Sequence, residues 1–333
     1  LTSLTNNVSV NKTCVDGIDV MILSGSVLND TGHLIGSAVT VRGETSDPAD
    51  VEIVDNTVGF RAFTLSHPDA VVSNLTISGN GLRIHSGHGG HVWMSAGLVA
   101  NCVIKDGNAA PAQGKLGRGG NVWMSGGRLE RSLVTGGKCS SGAWPGSNAS
   151  SKGMALYATG GVIDSCFFKD NKVDDYNSDS HGGVYLDGAA ILLNCTVTGG
   201  SSYRDKVGVG VHVNNANAKV VNCVFYGNAD NSASANFGTG NLKRYFYCGS
   251  SETNASCATW TVLTDGDFVN AAAGNLHQKR NSQLIGRGTL DTAYRPADSV
   301  TLDLDGNPRV LNRTIDLGCW EVESNLGFRI ILR

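Results

Sequence analysis

The stretch RIHSGHGGHVWMSAG, residues 83–97, sets His85, His88 and His91 three residues apart ahead of an apolar run. Imidazoles at that spacing suggest a metal site or a catalytic histidine. Three-residue spacing converges on a helix but not in a Gly-rich loop that enters a strand. A metal triad is therefore disfavoured, and His91 remains as a single catalytic or substrate-contacting candidate.

A denser constellation lies further on. Asp187 and His212 fall near each other once the chain is read in repeats, with Tyr185 beside them and His181, Arg204 and Lys206 in the preceding loops. A lyase acting on a uronate needs a base for the proton α to the carboxylate and a cation for the enolate. Lys206, His212 or Tyr185 fits the first role, and Arg204 or a bound metal the second. A hydrolase needs two carboxylates instead, for which Asp187 with Asp179 or Asp205 would serve. In DDYNSDSHGG, Asp175, Asn177 and Asp179 alternate as the ligands of a calcium loop do, which makes Ca2+ the one candidate cofactor. Leu186 stands where such a loop would close on Glu, so the motif is incomplete. DLDGN at 303–307 reads more simply as a turn.

These residues must be positioned by a repeat. GRGGNVWMSGG restates the opening phrase with Arg118 and Asn121 in place of histidines. Six segments align without gaps: VSNLTI, VANCVI, LERSLV, IDSCFF, LLNCTV and VVNCVF. Their fourth residues, Leu75, Cys102, Ser132, Cys166, Cys195 and Cys223, are separated by steps of 27, 30, 34, 29 and 28. A second short strand precedes five of them (HVWM, NVWM, MALY, GVYL and GVHV). Each repeat reads strand, short turn, strand, Asn, strand, then a longer loop, and no long helical periodicity appears. An all-β parallel β-solenoid satisfies this pattern, each turn burying its apolar side against its neighbours about 4.8 Å away. Asn74, Asn101, Asn194 and Asn222 would stack at one corner, interrupted by Arg131 and Ser165. The neighbouring cysteines would form an inward column.

Alternation on the first sheet puts Val92 and Met94 inside and His91, Trp93 and Ser95 outside. The middle outward column then reads Trp93, Trp123, Leu156, Tyr185, His212. Exposed flat rings in a row suit the apolar faces of sugars, with Arg118 at their edge. Loops that fold over the rings and bury them are the alternative.

Composition bounds the partners. The chain has 333 residues, a net charge of −3 and 17% charged residues, against the basic stripe that a nucleic-acid partner would want. No apolar run approaches the ~18 residues of a membrane span. Gly numbers 44 and Pro only 6, as expected of many tight turns between short strands. Among nine cysteines, Cys248 and Cys257 bracket a polar loop and are the best disulfide candidate.

The repeats resemble right-handed parallel β-helix proteins, with three short strands per turn. Residues 36–79 look like their early coils. DFVNAAAGNLHQKRNSQLIGRG (267–288) and LDLDGNPRVLNRTIDLGCWE (302–321) look like the C-terminal region of bacterial surface β-helix proteins with a choice-of-anchor ending. The resemblance implies a pectate-lyase-like architecture, a secreted or cell-surface protein, and attachment through a region outside this chain. The coils are expected over 1–240, clearest over 72–225, with an irregular segment over 241–333 completing or capping them. The expected function is binding, and cleavage by a lyase or glycoside hydrolase, of an extended polysaccharide beside the first sheet. The alternative is a non-catalytic adhesin or structural stalk.

Overall fold

A computed structural model describes residues 11–15, 18–29, 32–55, 61–79, 88–109, 117–139, 151–173, 181–202, 208–230, 235–238 and 240–322. The chain winds into a parallel β-solenoid whose central turns each add one strand to each of three sheets. Among the described residues, the first sheet has seven strands: His33–Ile35, Phe63–Leu65, Val92–Met94, Val122–Met124, Leu156–Ala158, Val184–Leu186 and Val211–Val213. The second and third sheets have ten each among the same residues. One pairing is antiparallel at the start of the second sheet, where Asn11–Val15 folds against Ile18–Leu23. Neighbouring turns pair in register, Trp93 against Trp123 and Val99 against Leu129.

The bend between the second and third strands explains the Asn column. Asn74, Asn101, Asn194 and Asn222 all have φ between 50° and 56°, and Arg131, Ser165 and Tyr247 share the left-handed conformation at the same corner. Asn tolerates that region better than most side chains do. Its amide also bridges turns: Asn101 Nδ2 donates to Asn74 Oδ1 at 2.9 Å and Asn222 Nδ2 to Asn194 Oδ1 at 3.0 Å. Where Ser165 interrupts the ladder, the Asp164 carboxylate substitutes and accepts from Asn194 Nδ2 at 2.8 Å.

Inside the corner, Cys102, Cys166, Cys195 and Cys223 are buried free thiols, and Cys248 continues the column. The backbone N–H of Cys166 donates to Cys195 Sγ, and that of Cys195 to Cys223 Sγ, both at 3.4 Å. Ser132 takes the same place with its hydroxyl, accepting from the Cys102 N–H at 3.1 Å. The Cys248–Cys257 disulfide is not formed; both thiols are free and buried. Cys248 points into the solenoid with the rest of its column, donating to the Val220 carbonyl of the previous turn, so it cannot turn out to the polar loop.

Tyr245–Phe246 adds the last strand of the second sheet, and Gly249–Ser250 and Thr261–Val262 the last two of the third. From there the chain runs back along the outside of the solenoid. Phe268, Leu276, Leu284, Leu317 and Trp320 pack on Phe167 and Val224 of the third sheet in a second apolar cluster. Polar anchors add to it: Asn222 exchanges hydrogen bonds with the Thr289 backbone, and Asp164 accepts from Val300 N at 3.0 Å. Arg309 is fully buried, donating to the Gly318 carbonyl at 2.8 Å and lying 3.3 Å from Glu321. DLDGN is a turn, held by Asp303 accepting from Asn307 N at 2.7 Å.

Candidate functional site

The outward column of the first sheet reads Leu34, Thr64, Trp93, Trp123, Tyr157, Tyr185, His212 by direct pairing. Leu156, assigned outward from the sequence, is buried in the core, and Tyr157 takes its place. The signal was present. Trp93, Trp123 and Tyr157 each precede the matching second-strand residue (Val99, Leu129, Ile163) by six positions. Thr159-Gly160-Gly161 likewise repeats the turn Ser125-Gly126-Gly127.

The rings stack face to face. Trp93 and Trp123 are 5.1 Å apart at 8°, Tyr157 and Tyr185 5.4 Å at 5°, and Tyr185 and His212 4.9 Å at 9°. Stacking along the axis follows from in-register pairing, since identical positions recur one strand spacing apart.

A second column runs beside the rings. His88, Arg118, Lys152 and His181 pair successively across turns. Each leans onto the ring of the following turn. The Arg118 guanidinium lies 5.1 Å from the Tyr157 centroid and Lys152 Nζ 4.9 Å from that of Tyr185. His88 and Trp123 are 5.9 Å apart, His181 and His212 4.8 Å. Cations over π-faces gain about 0.5–2 kcal/mol each, depending on desolvation. Sequence reading found Arg118 and His181 but missed Lys152, although three of these residues stand five positions before their own turn's ring. A neighbouring column sets Asn108, Lys138 and Lys172 side by side. Arg118 thus faces Lys152, and Lys138 faces Lys172. Like charges directly opposite across strands repel.

Asp187 closes the far end on the other side of the rings. Its carboxylate accepts from the Tyr157 hydroxyl and from Asn214 Nδ2, and its carbonyl from Asn215 Nδ2 at 3.3 Å. Burial, and then the hydrogen bond to Asp187, push the Tyr157 phenol well above its usual range, so it stays a donor. Burial, followed by the Asp187 charge, pushes Tyr185 up to about 12. His212 is displaced the other way, to about 4, chiefly by burial and then by His181 and Lys152. It is a neutral imidazole at pH 7. Its ring edge is covered by the next turn, where a Cβ on Gly238 would come within 2.3 Å of Nδ1.

His91 does not point outward beside Trp93. It is buried, its Nε2 2.9 Å from the Lys105 carbonyl and its Nδ1 3.5 Å from the Asp55 carboxylate. Asn121, one turn on, does the equivalent work, accepting from Gly107 N at 2.7 Å and donating to the Thr135 carbonyl at 2.9 Å. Both tie the entry of the first strand to the end of the third, because a polar side chain there satisfies backbone groups that no ladder reaches. His91 belongs to one rung of a ladder, not to a histidine site.

Among the candidates, Trp93, Trp123, Tyr185, His212, His181, Arg118 and Asp187 come together on one face. Arg204, Lys206, Asp175, Asn177, Asp179 and His85 lie outside the described residues. Among the described residues, no group of three or more His, Cys, Asp or Glu is placed to hold a metal ion, and no helix is long and apolar enough to cross a membrane. Fold and face together define a parallel β-solenoid with a ring-and-cation strip along one sheet. No known family model matches the chain, and no curated protein is significantly similar to it.

Proposed function

We propose that the first sheet binds an extended acidic polysaccharide, and that Asp187 is the group placed to cleave it. The carrying observation is the paired columns, rings down the middle and His88, Arg118, Lys152 and His181 beside them. Trp93 and Trp123, the half-buried rings of the column, turn the edges of a stacked pair outward, against which successive sugars can pack. Arg118 and Lys152, like charges held opposite each other on neighbouring turns, favour a partner that brings negative charge. A secreted or surface location, the right-handed pectate-lyase-like type and a surface-anchoring C-terminal region belong to the same reading.

For cleavage, Asp187 is a carboxylate held by two donors, with the protonated Tyr157 beside it. It serves as the base of a lyase, with Arg118 or Lys152 near the uronate carboxylate, or as one acid of a hydrolase. His212, on the next turn, stacks on Tyr185. The test is a panel of acidic and neutral polysaccharides scored for binding, for new reducing ends and for ultraviolet-absorbing unsaturated ends. The reading expects binding of acidic members that weakens with salt, and cleavage lost in Asp187→Asn. Retained cleavage in Asp187→Asn moves the centre elsewhere, with His212→Ala the next variant. Binding without cleavage of any member favours the adhesin, and no binding at all the structural stalk.

A further inference from the structure

Apolar exposure gathers on one part of the C-terminal segment. Six large apolar side chains are exposed among the described residues, and three of them lie within residues 290–310: Leu290 at 37%, Leu302 at 38% and Val310 at 47%. Leu290 and Val310 line a cleft of about 280 Å³ with Pro296, Val300 and Pro308, and Leu302 bridges to Pro308. Apolar side chains grouped around a concavity call for a partner, whereas scattered ones do not. The walls are pinned to the second sheet, on a different face from the ring strip. Asp298 accepts from the Arg128 guanidinium at 3.0 Å, Asp164 from Val300 N at 3.0 Å, and the Ala293 carbonyl from Lys219 Nζ at 2.8 Å.

Arg295 brings a cation to the same cleft. It is half-buried, and its guanidinium makes no hydrogen bond or ion pair among the described residues. Its Nε is closed off from solvent, but the two terminal nitrogens are not. Burial weighs against its charge, which Asp164 and Glu321 support and Arg309 opposes. Both carboxylates are committed elsewhere. Asp164 accepts from Asn194, Ser165 and Val300, and Glu321 accepts from Asp316 N and lies 3.3 Å from Arg309. A guanidinium stays charged regardless, so one left half-buried without a partner calls for an anion from outside.

We infer that this cleft binds a small monocarboxylic acid with a compact apolar body, a single aromatic ring or a short branched chain. The carboxylate pairs with the terminal N–H groups of Arg295, whose planar fork matches its two oxygens. The body lies between Leu290, Val300 and Val310. A volume just below the roughly 300–1,000 Å³ of drug-sized sites limits the occupant to one such body. The site stands independently of the polysaccharide reading.

The probes are benzoate and isovalerate, followed by ligand-observed NMR titration and by the melting temperature of the intact chain. Acetate keeps the carboxylate without the body, and benzyl alcohol keeps the ring without the charge. Both complete probes should bind saturably and raise the melting temperature, while each control binds roughly tenfold more weakly. Arg295→Gln removes an unpaired charge, so it should fold and lose benzoate affinity by a similar factor. Val310→Ser, at an exposed position, gives a second readout in which benzoate weakens several-fold. Benzoate affinity unchanged in either variant, acetate binding as tightly as benzoate, or no binding of either complete probe would overturn the inference.

Discussion

His212 offers a direct measurement of how closed the far end of the strip is. The imidazole is packed against Tyr185 and His181 of the preceding turn, and its Nδ1 has no hydrogen-bond partner. Burial first, then the neighbouring His181 and Lys152, lower its pKa from 6.5 to about 4 in the folded protein. Between those values the unfolded chain takes up a proton that the folded protein refuses. Stability from this group is therefore complete above pH 6.5 and is lost as the pH falls toward 4. At about 1.4 kcal/mol per pH unit, the whole window amounts to about 3 kcal/mol. Other groups titrate nearby. Glu321, pushed up to about 8 mainly by burial, has the opposite sign and loses stability as the pH rises. Comparison with His212→Gln removes such contributions, because they are common to both proteins. The fixed cost of losing the stacked ring is also independent of pH. Denaturant unfolding of both proteins from pH 7 to 4 should show the native protein losing about 3 kcal/mol more than the variant. Parallel curves would show that the imidazole is solvated, and that the strip is open where the structure closes it.

Further outcomes are expected elsewhere in the molecule. Trp93→Ala and Trp123→Ala should weaken polysaccharide binding and also lower the melting temperature, because each breaks a half-buried stacked pair; a thermal loss with unchanged binding would make these rings structural alone. Thiol titration of the native protein should leave Cys102, Cys166, Cys195 and Cys223 unreactive until denaturation, and rapid labelling would refute the inward column. Arg131 occupies the Asn corner with φ 41°. Arg131→Asn should raise unfolding free energy by about 1–3 kcal/mol through relief of the left-handed strain plus one amide bond between turns. Arg131→Gly should deliver only the conformational part, and equal gains from the two would show that no amide bond forms.

Several features were legible in the sequence because they depend on local rules. Inward and outward positions alternate along any strand, so Val92 and Met94 could be assigned to the core from three residues alone. A corner that requires positive φ selects Asn in one turn after another, so a column of Asn at steps near thirty announces the solenoid. The thiol column follows from the same spacing. Other features were settled only when turns stacked. His91 has the sequence context of Trp93's neighbour, yet whether it faces solvent depends on where the third strand of its own turn ends, and there Lys105 offers a carbonyl. Tyr157, by contrast, was legible in its six-residue spacing to the second strand, which lateral pairing preserves whatever the length of the preceding loop. The seating of Arg118 over Tyr157 joins residues 39 positions apart on adjacent turns, an offset that no single repeat displays. Cys248 was drawn into the interior by pairing with a turn that the polar loop around it concealed. The irregular C-terminal segment has no period at all, so its course along the third sheet rests on long-range burial of Phe268, Leu317 and Trp320, which only the assembled solenoid provides.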